Sequence, residues 1–314
     1  MLIYAAQRVG LALIICLTAI TVLVSATRVI PGDLATIMLG PRATPQRVAR
    51  LNEEMGLNRP VPVQIALFVG DVARGTLPTD PLTDRPISKI IMENLPYTLV
   101  LIAAGLGWSV LLGVPLGCFS AIRRNSVIDR LTGVISVGTI SIPSFVVAIY
   151  AALIFAVDLR WLPMRGAGEP GQIGDQIMHL IMPSFAVGLG WVGYLARIVR
   201  ASMLEVMGEN HIRTARAFGL PESRVVFRYA LRIAILPTLT LLALAIGGLL
   251  SSTVFAENIF VRPGIGSLIV DSAKLRNYPV LQSAVLITVA IYIAATIVTD
   301  LVVAWLDPRV RTAL

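Results

Sequence analysis

Six stretches of this chain run free of charged side chains over helical lengths: residues 9–27, 94–122, 131–157, 176–196, 233–256 and 277–299. A helix needs about 20 apolar residues to cross the ~30 Å hydrocarbon core of a bilayer. The pattern therefore predicts an all-α polytopic membrane protein with six transmembrane helices, organised as one domain over residues 1–314. The first stretch follows Arg8 as VGLALIICLTAITVLVSAT and carries no convincing small-residue cleavage site. It is read as a retained helix.

Polar positions cluster between these stretches. The largest such piece, residues 28–93, is predicted to be an outer amphipathic segment with two short helices. Thr44 is placed to cap the first, with Pro45 at its first position and Gly56 closing it. Pro62 would open the second and Gly75 end it. Pro115, Pro143 and Pro183 fall inside or near the ends of spans, where kinks are tolerated if neighbours re-satisfy the backbone. Gly113 and Gly117 form a small-xxx-small pair suited to close helix contact.

Composition agrees with this pattern. Hydrophobic residues make up 56% of the chain and charged ones 14%, with a mean hydropathy of +0.81, which excludes a soluble globular domain. Two cysteines, Cys16 and Cys118, lie inside predicted spans and support neither a disulfide framework nor a metal site. The net charge of +8 raises the question of nucleic acid. Its distribution answers otherwise. With the N-terminus inside, segments 1–8, 120–130, 197–232 and 306–314 carry 13 Lys and Arg against 5 acids, whereas 28–93, 157–175 and 257–276 carry 13 against 12. That is the positive-inside bias. It places both termini in the cytoplasm and makes nucleic acid unnecessary as a partner.

Candidate chemistry is sparse. GLGWVG at 188–193 matches a dinucleotide-binding glycine pattern but lies mid-span, where helix packing explains it better. No phosphate-binding G-x-x-x-x-G-K-[ST] loop occurs, so the chain is not expected to hydrolyse ATP. His179 and His211 are expected on opposite sides of the membrane and lack metal-ligand spacing. Ser141 and Ser144 in SIPSF would need His179 as base for intramembrane proteolysis. Asp300 is the one charge in the last apolar run. As an intramembrane acid it raises a proton-coupled secondary transporter as an alternative function, although snorkelling or pairing with an arginine near the inner face is the simpler account.

The informative stretch is RTARAFGLPESRVVFRYALRIAILP, Arg213 to Pro237, within the inner segment 197–232. Arg224, Arg228 and Arg232 recur at i, i+4, i+8 and share one helical face, with Val225, Val226, Tyr229, Ala230 and Ile233 on another. Repelling cations at that spacing call for acidic headgroups or carboxylates on a partner protein. The preceding ENHIRTARAFG reads as a short helix stopped at Gly219, with Leu220-Pro221-Glu222 opening the next. Two short helices joined at Gly-Leu-Pro make an elbow. It either transmits force to the flanking spans or rests in anionic headgroups.

This stretch closely resembles the cytoplasmic coupling loop of permeases of binding-protein-dependent ABC importers, in the dipeptide/oligopeptide/nickel branch. The general pattern is E-A-A, three residues, Gly, nine residues, I-x-L-P. With Gly219 as the Gly, Arg213, Thr214 and Ala215 fall at E-A-A, and Tyr229, Leu231 and Arg232 at I, L and P. The departures are similar to the branch's own RTARAKG and ALRNA-LP. YAAQRVGLALI, RVIPGD (with Pro31, Gly32 and Asp33), MGLNRPVPVQ, SIPSF and FAENIFVRPGIGSLIVDSAKLRNYPVLQ resemble other parts of that branch and extend the likeness over nearly the whole chain. Asn277 stands where RDYP is usual, and GTLPTDPLTDRP replaces a GDxG. Both changes lie on the outer side and bear on substrate or receptor details.

The resemblance implies a type I ABC importer permease fold in a bacterial cytoplasmic membrane. It implies a non-catalytic subunit forming half of a pore, for peptides or a related small solute such as glutathione or a nickel chelate. Its partners would be a second homologous permease, two ATP-binding cassette subunits that use ATP and Mg, and an extracytoplasmic substrate-binding protein, with membrane lipid around it. No cofactor is expected in this chain. The coupling residues would be Glu209, Arg213, Thr214, Ala215, Arg216, Ala217, Gly219, Arg224 and Arg228. Replacing Gly219 by Val or Asp is expected to abolish transport while leaving the protein in the membrane.

Overall fold

The computed structural model describes residues 2–28, 34–40, 43–54 and 58–306. They form α1 (Leu2–Arg28), α2 (Leu34–Leu39), α3 (Pro45–Glu54), α4 (Val61–Arg74), α5 (Ile87–Ile122), α6 (Val127–Ser141), α7 (Ser144–Ala151), α8 (Ile173–Met207), α9 (Asn210–Ala217), α10 (Glu222–Arg224), α11 (Leu231–Ala234), α12 (Leu236–Ile259), α13 (Ile265–Lys274) and α14 (Tyr278–Leu306). Wider π-helical turns continue α7 over Ala152–Asp158 and join α10 to α11 over Val225–Ala230. The chain divides into two compact units, Met1–Thr98 with Pro263–Ala294, and Leu99–Arg262 with Ala295–Leu314.

In the first unit the two expected amphipathic helices form where their caps place them. The Arg47 amide donates to Thr44 Oγ1 at 3.4 Å at the start of α3. Helix α4 has Pro62 in its first turn and ends at Gly75, whose φ of +69° is left-handed. The closing role of Gly56, like the Pro31-Gly32-Asp33 element, lies outside the described residues. Leu51 packs with Ala35, Met38 and Leu39. Val61, Ile65, Phe68 and Val72 recur at helical spacing and lie against Ile20, Val24 and Leu286. A further core gathers Ile87, Ile91, Ile265, Val280 and Ala284.

Both departures from the pattern the sequence resembles, Asn277 and the segment 75–86, meet at one corner of this unit. Asp80, buried in the loop before α5, accepts from the Leu82 amide at 3.0 Å, from the Thr83 hydroxyl and from Asn277 Nδ2 at 2.6 Å. An Asp at 277 would set two buried carboxylates against each other. Asn277 is therefore a structural match to Asp80.

In the second unit α8 is the centre, packed against α6, α7 and α12. Helix α5 also lies on it along a row of glycines. A Cβ on Gly105 would stand 2.7 Å from Val187 Cγ2, one on Gly113 2.9 Å from Leu195 Cβ, and one on Gly117 2.6 Å from the Ala196 carbonyl oxygen. Only hydrogen fits there, as small-residue helix contacts in membranes require. A Cβ on Gly188 would lie 2.6 Å from the Gly105 carbonyl oxygen, which assigns the GLGWVG glycines to packing. Trp108 Nε1 donates to the Ser184 carbonyl at 2.9 Å, and Ser109 Oγ to that of Gly188 at 2.8 Å.

The third predicted span is corrected. Residues 131–157 do not form one helix, because α6 and the α7 segment meet at 96°. Pro143 has no amide to donate and pushes the preceding residue out of the helical region; Ile142 sits at φ −87°, ψ 120°. Four helices, α5, α8, α12 and α14, are long and apolar enough to cross a membrane, and the bent pair supplies a fifth. Helix α1 covers the remaining predicted span with 27 residues.

Candidate functional site

Helix α8 stops at Met207, and Glu209 stands at the N-cap of α9 with its carboxylate 3.0 Å from His211 Nδ1. Thr214 Oγ1 donates back to the Asn210 carbonyl at 3.0 Å. Ile212 and Ala215, three residues apart, are the buried positions of α9. Ala215 thus packs inward, while Arg213, Ala217 and Phe218 face out. The helix ends in the double hydrogen bond of a Schellman cap: the Gly219 amide donates to the Arg216 carbonyl at 2.9 Å and the Leu220 amide to that of Ala215 at 3.4 Å. Gly219 takes φ +75°, with nothing within 4 Å of where a Cβ would sit. The glycine is demanded by backbone conformation, not by space.

Pro221 caps the second arm at φ −61°, ψ 140°, one position earlier than the first-turn place expected from sequence. Across the corner Arg216 grips Glu222 with both ends of its fork, Nε to Oε2 at 3.1 Å and Nη2 to Oε1 at 2.6 Å. The Arg216 hydrogen bond holds the Glu222 carboxyl below its ordinary range. This ion pair braces the elbow.

The second arm corrects the expected helical face. Val225, Val226 and Ala230 of that face are buried, but Tyr229 and Ile233 are 40% and 41% exposed and Ala234 is buried in their stead. The π-helical turn over Val225–Ala230 lengthens the local repeat beyond 3.6, so the inward stripe slips by one residue. Arg224, Arg228 and Arg232 all remain exposed, and among the described residues none of the three has an ion-pair partner.

One core anchors both arms. Ile212, Ala215, Val225, Val226, Ala230 and Ala234 pack with Cys118 and Ala121 of α5 and with Val199, Met203 and Val206 of α8. Full burial of a side chain such as Ile212 stabilises by about 1.5–3 kcal/mol. A displacement of the elbow therefore moves the ends of two long helices. On its outer side Phe218 is 80% exposed, the most exposed large apolar side chain among the described residues. Motif reading passed over it because the position carries no charge and no backbone requirement.

A second polar constellation at this end of the unit also escaped the sequence. Asp129, buried in the first turn of α6, accepts from Arg200 Nε at 2.5 Å, Arg200 Nη2 at 2.8 Å, Ser120 Oγ at 2.5 Å and the Asn125 amide at 2.9 Å. Three helices, α5, α6 and α8, are tied at one carboxylate. The available signal was Ser126 three residues before an acid, the pattern of a capped helix start; the Ser126 side chain does accept from the Asp129 amide at 3.2 Å.

The intramembrane-protease arrangement is not formed among the described residues. Ser141 Oγ donates to its own helix at Val137, and His179 Nδ1 lies 2.8 Å from the Asp175 carbonyl; among the described residues neither Ser141 nor Ser144 bonds to a histidine. The Asp300 side chain lies outside the described residues.

Comparison with known proteins places this architecture. Residues 113–312 match the family described as binding-protein-dependent transport system inner membrane component, and residues 1–102 its N-terminal companion. The chain is 35% identical to a dipeptide transport system permease protein of Alkalihalophilus pseudofirmus, over 99% of this chain and 100% of that protein. It is 36% identical to a glutathione transport system permease protein of Salmonella paratyphi A, over 99% of each. An inward-facing MetNI methionine ABC transporter shares the fold at a TM-score of 0.57 and 14% identity, covering 71% of this chain and 98% of that one. The fold is that of a type I importer permease, and the chain belongs to the family of binding-protein-dependent transport system inner membrane components, in its dipeptide/oligopeptide branch.

Proposed function

We propose that this chain forms half of the translocation pore of an ATP-driven importer of di- or oligopeptides or a related small solute, in a bacterial inner membrane with both termini cytoplasmic. Its partners are a second homologous permease, two ATP-binding cassette subunits that bind and hydrolyse ATP with Mg, and an extracytoplasmic binding protein that selects the substrate. Named relatives that carry dipeptides and glutathione support that substrate class.

The observation that carries the reading is the elbow: a two-helix corner with its inner face sunk into the ends of α5 and α8, while Phe218 stands 80% exposed and Arg213, Arg224 and Arg228 on the same two arms are exposed as well. An exposed aromatic on an elbow that also carries exposed cations fits a groove with an apolar floor and acidic rim. Ala217 and Gly219 allow close approach, and arginine pairs with carboxylates bidentately. Glu209 and Thr214 shape the first arm, Ala215 seats it, and Arg216 braces it. ATP binding closes the two ATPases, draws two such elbows together and opens the pore outward. The coupling free energy is the difference in elbow affinity between the two ATPase states.

The test is co-purification of the tagged chain in mild detergent with Phe218→Ala beside the natural residue. The expected result is a second six-helix permease and two ATPases with the natural chain, and about tenfold or greater loss of the ATPases with Phe218→Ala, the permease pair remaining. ATPases retained equally by both would remove Phe218 from the contact. A chain recovered without ATPases after crosslinking would make the elbow a headgroup-resting feature instead.

A further inference from the structure

A cleft of about 410 Å³ opens between α6 and α8 beside the Asp129–Arg200 pair. It is graded along its length. At one end stand Arg130, Arg197 and Arg200 with a single carboxylate, Asp129, which Arg200 already satisfies bidentately. Arg130 and Arg197 are exposed and, among the described residues, have no ion-pair partner. Thr132 and Ser136, 8% and 4% exposed, line the wall, and their hydroxyl oxygens are open to the cleft, not sealed in the protein. Gly133 and Ala196 interleave with these polar residues, and Val137 stands at the far end of the α6 wall. From Asp129 to Val137 the helix rises about 12 Å. Alongside, Leu131 and Val134 present apolar side chains outward at 55% and 71% exposure.

We propose that this cleft holds one anionic phospholipid. The grading matches an amphiphile. The phosphodiester sits between Arg130 and Arg197, the hydroxyls of Thr132 and Ser136 donate to glycerol-ester oxygens, and the acyl chains leave past Gly133 along Leu131 and Val134. A free anion satisfies the arginines but leaves the apolar end empty. A zwitterionic lipid brings a quaternary ammonium against two guanidinium groups. Basic pockets between transmembrane helices at the cytoplasmic leaflet are the known physical setting for anionic headgroups. The assignment of leaflet rests on the orientation proposed above. The lipid would lie beside the α5–α6–α8 tie and the elbow core, so its occupancy would bear on the same helix ends.

The experiment is native mass spectrometry of the full-length chain, with whatever subunits co-purify, titrated with phosphatidylglycerol and with phosphatidylcholine. One phosphatidylglycerol is expected to be retained about tenfold more tightly than phosphatidylcholine, each nearby arginine contributing part of that preference. Arg130→Gln with Arg197→Gln should erase the preference, and Thr132→Val with Ser136→Ala should weaken phosphatidylglycerol retention about threefold or more. Thermal unfolding in lipid-free detergent checks that each variant is folded; the hydroxyl pair stands as the test if the arginine pair is not. Equal retention of the two lipids, a preference surviving the arginine pair, or full displacement by excess inorganic phosphate would each overturn the proposal, the last in favour of a soluble-anion site. Labelling of Asn125→Cys in sealed vesicles separates the two readings: access from outside would overturn the orientation and the leaflet while binding itself is scored independently.

Discussion

Gly219 illustrates how one backbone angle sets the consequence of a substitution. At φ +75° with open space around it, a side chain meets no neighbour and suffers only left-handed strain, about 1–2 kcal/mol for an ordinary residue and most for a β-branched one. Gly219→Val is therefore expected to lose ATP-driven uptake while the protein stays in the membrane, and Gly219→Asn to keep most of it. Equal loss in both, measured in proteoliposomes, would mean that bulk matters and not conformation. Asp tolerates this region nearly as Asn does, so any harm from Gly219→Asp reflects its charge among arginines. The Arg216–Glu222 brace makes a second residue-scale case. Its folded-state carboxyl is depressed, so its stabilisation is present above the ordinary glutamate value of about 4.3 and fades as pH falls through the lowered value. Both partners are partly exposed, which limits the pair to about 1 kcal/mol or less. Glu222→Gln should melt slightly below the natural chain at neutral pH and converge with it in acid; a gap that widens in acid would refute the assignment.

Among the elements, the second arm of the elbow shows where periodicity alone misleads. An α-helical wheel put Tyr229, Ala230 and Ile233 on the face of Val225 and Val226, whereas the arm with its π-helical turn buries Ala230 and Ala234 and leaves Tyr229 and Ile233 out. Val226→Asp should abolish stable insertion or lower the melting temperature sharply, since an unpaired buried charge costs several kcal/mol. Tyr229→Asp should stay within about 0.5 kcal/mol, as exposed substitutions do. Membrane levels and thermal unfolding of the two variants check the register; reversal of the order would restore the α-helical face. The break at Pro143 belongs here too. The proline was visible in the sequence, but whether a membrane helix kinks or breaks at proline depends on what re-satisfies the freed backbone. Only the packed structure contains those neighbours.

For the molecule as a whole, the Asp129 carboxylate is the clearest long-range commitment, with Arg200 lying 71 residues away in sequence. Arg200→Leu strands a buried carboxylate and should cost about 3–5 kcal/mol, while Asp129→Leu with Arg200→Leu should recover much of that. Thermal unfolding of the single and double variants decides it. No recovery in the double would show that Arg200 acts through other contacts.

One-dimensional signals determined much of this protein. A bilayer demands long charge-free runs, a caps-and-glycine grammar marks short helices, and a left-handed stop needs glycine, so the spans other than the third, α3, α4 and the Gly219 corner were legible directly. The Arg-rich stretch pointed to the elbow for the same reason. Tertiary structure decided the rest: the 96° turn at Pro143, the slipped register after Val226, the pairing of Asp80 with Asn277 and of Asp129 with Arg200, and the graded cleft between α6 and α8. Each depends on which distant side chains come within hydrogen-bonding or van der Waals reach, a distance that chain order does not encode until the helices pack.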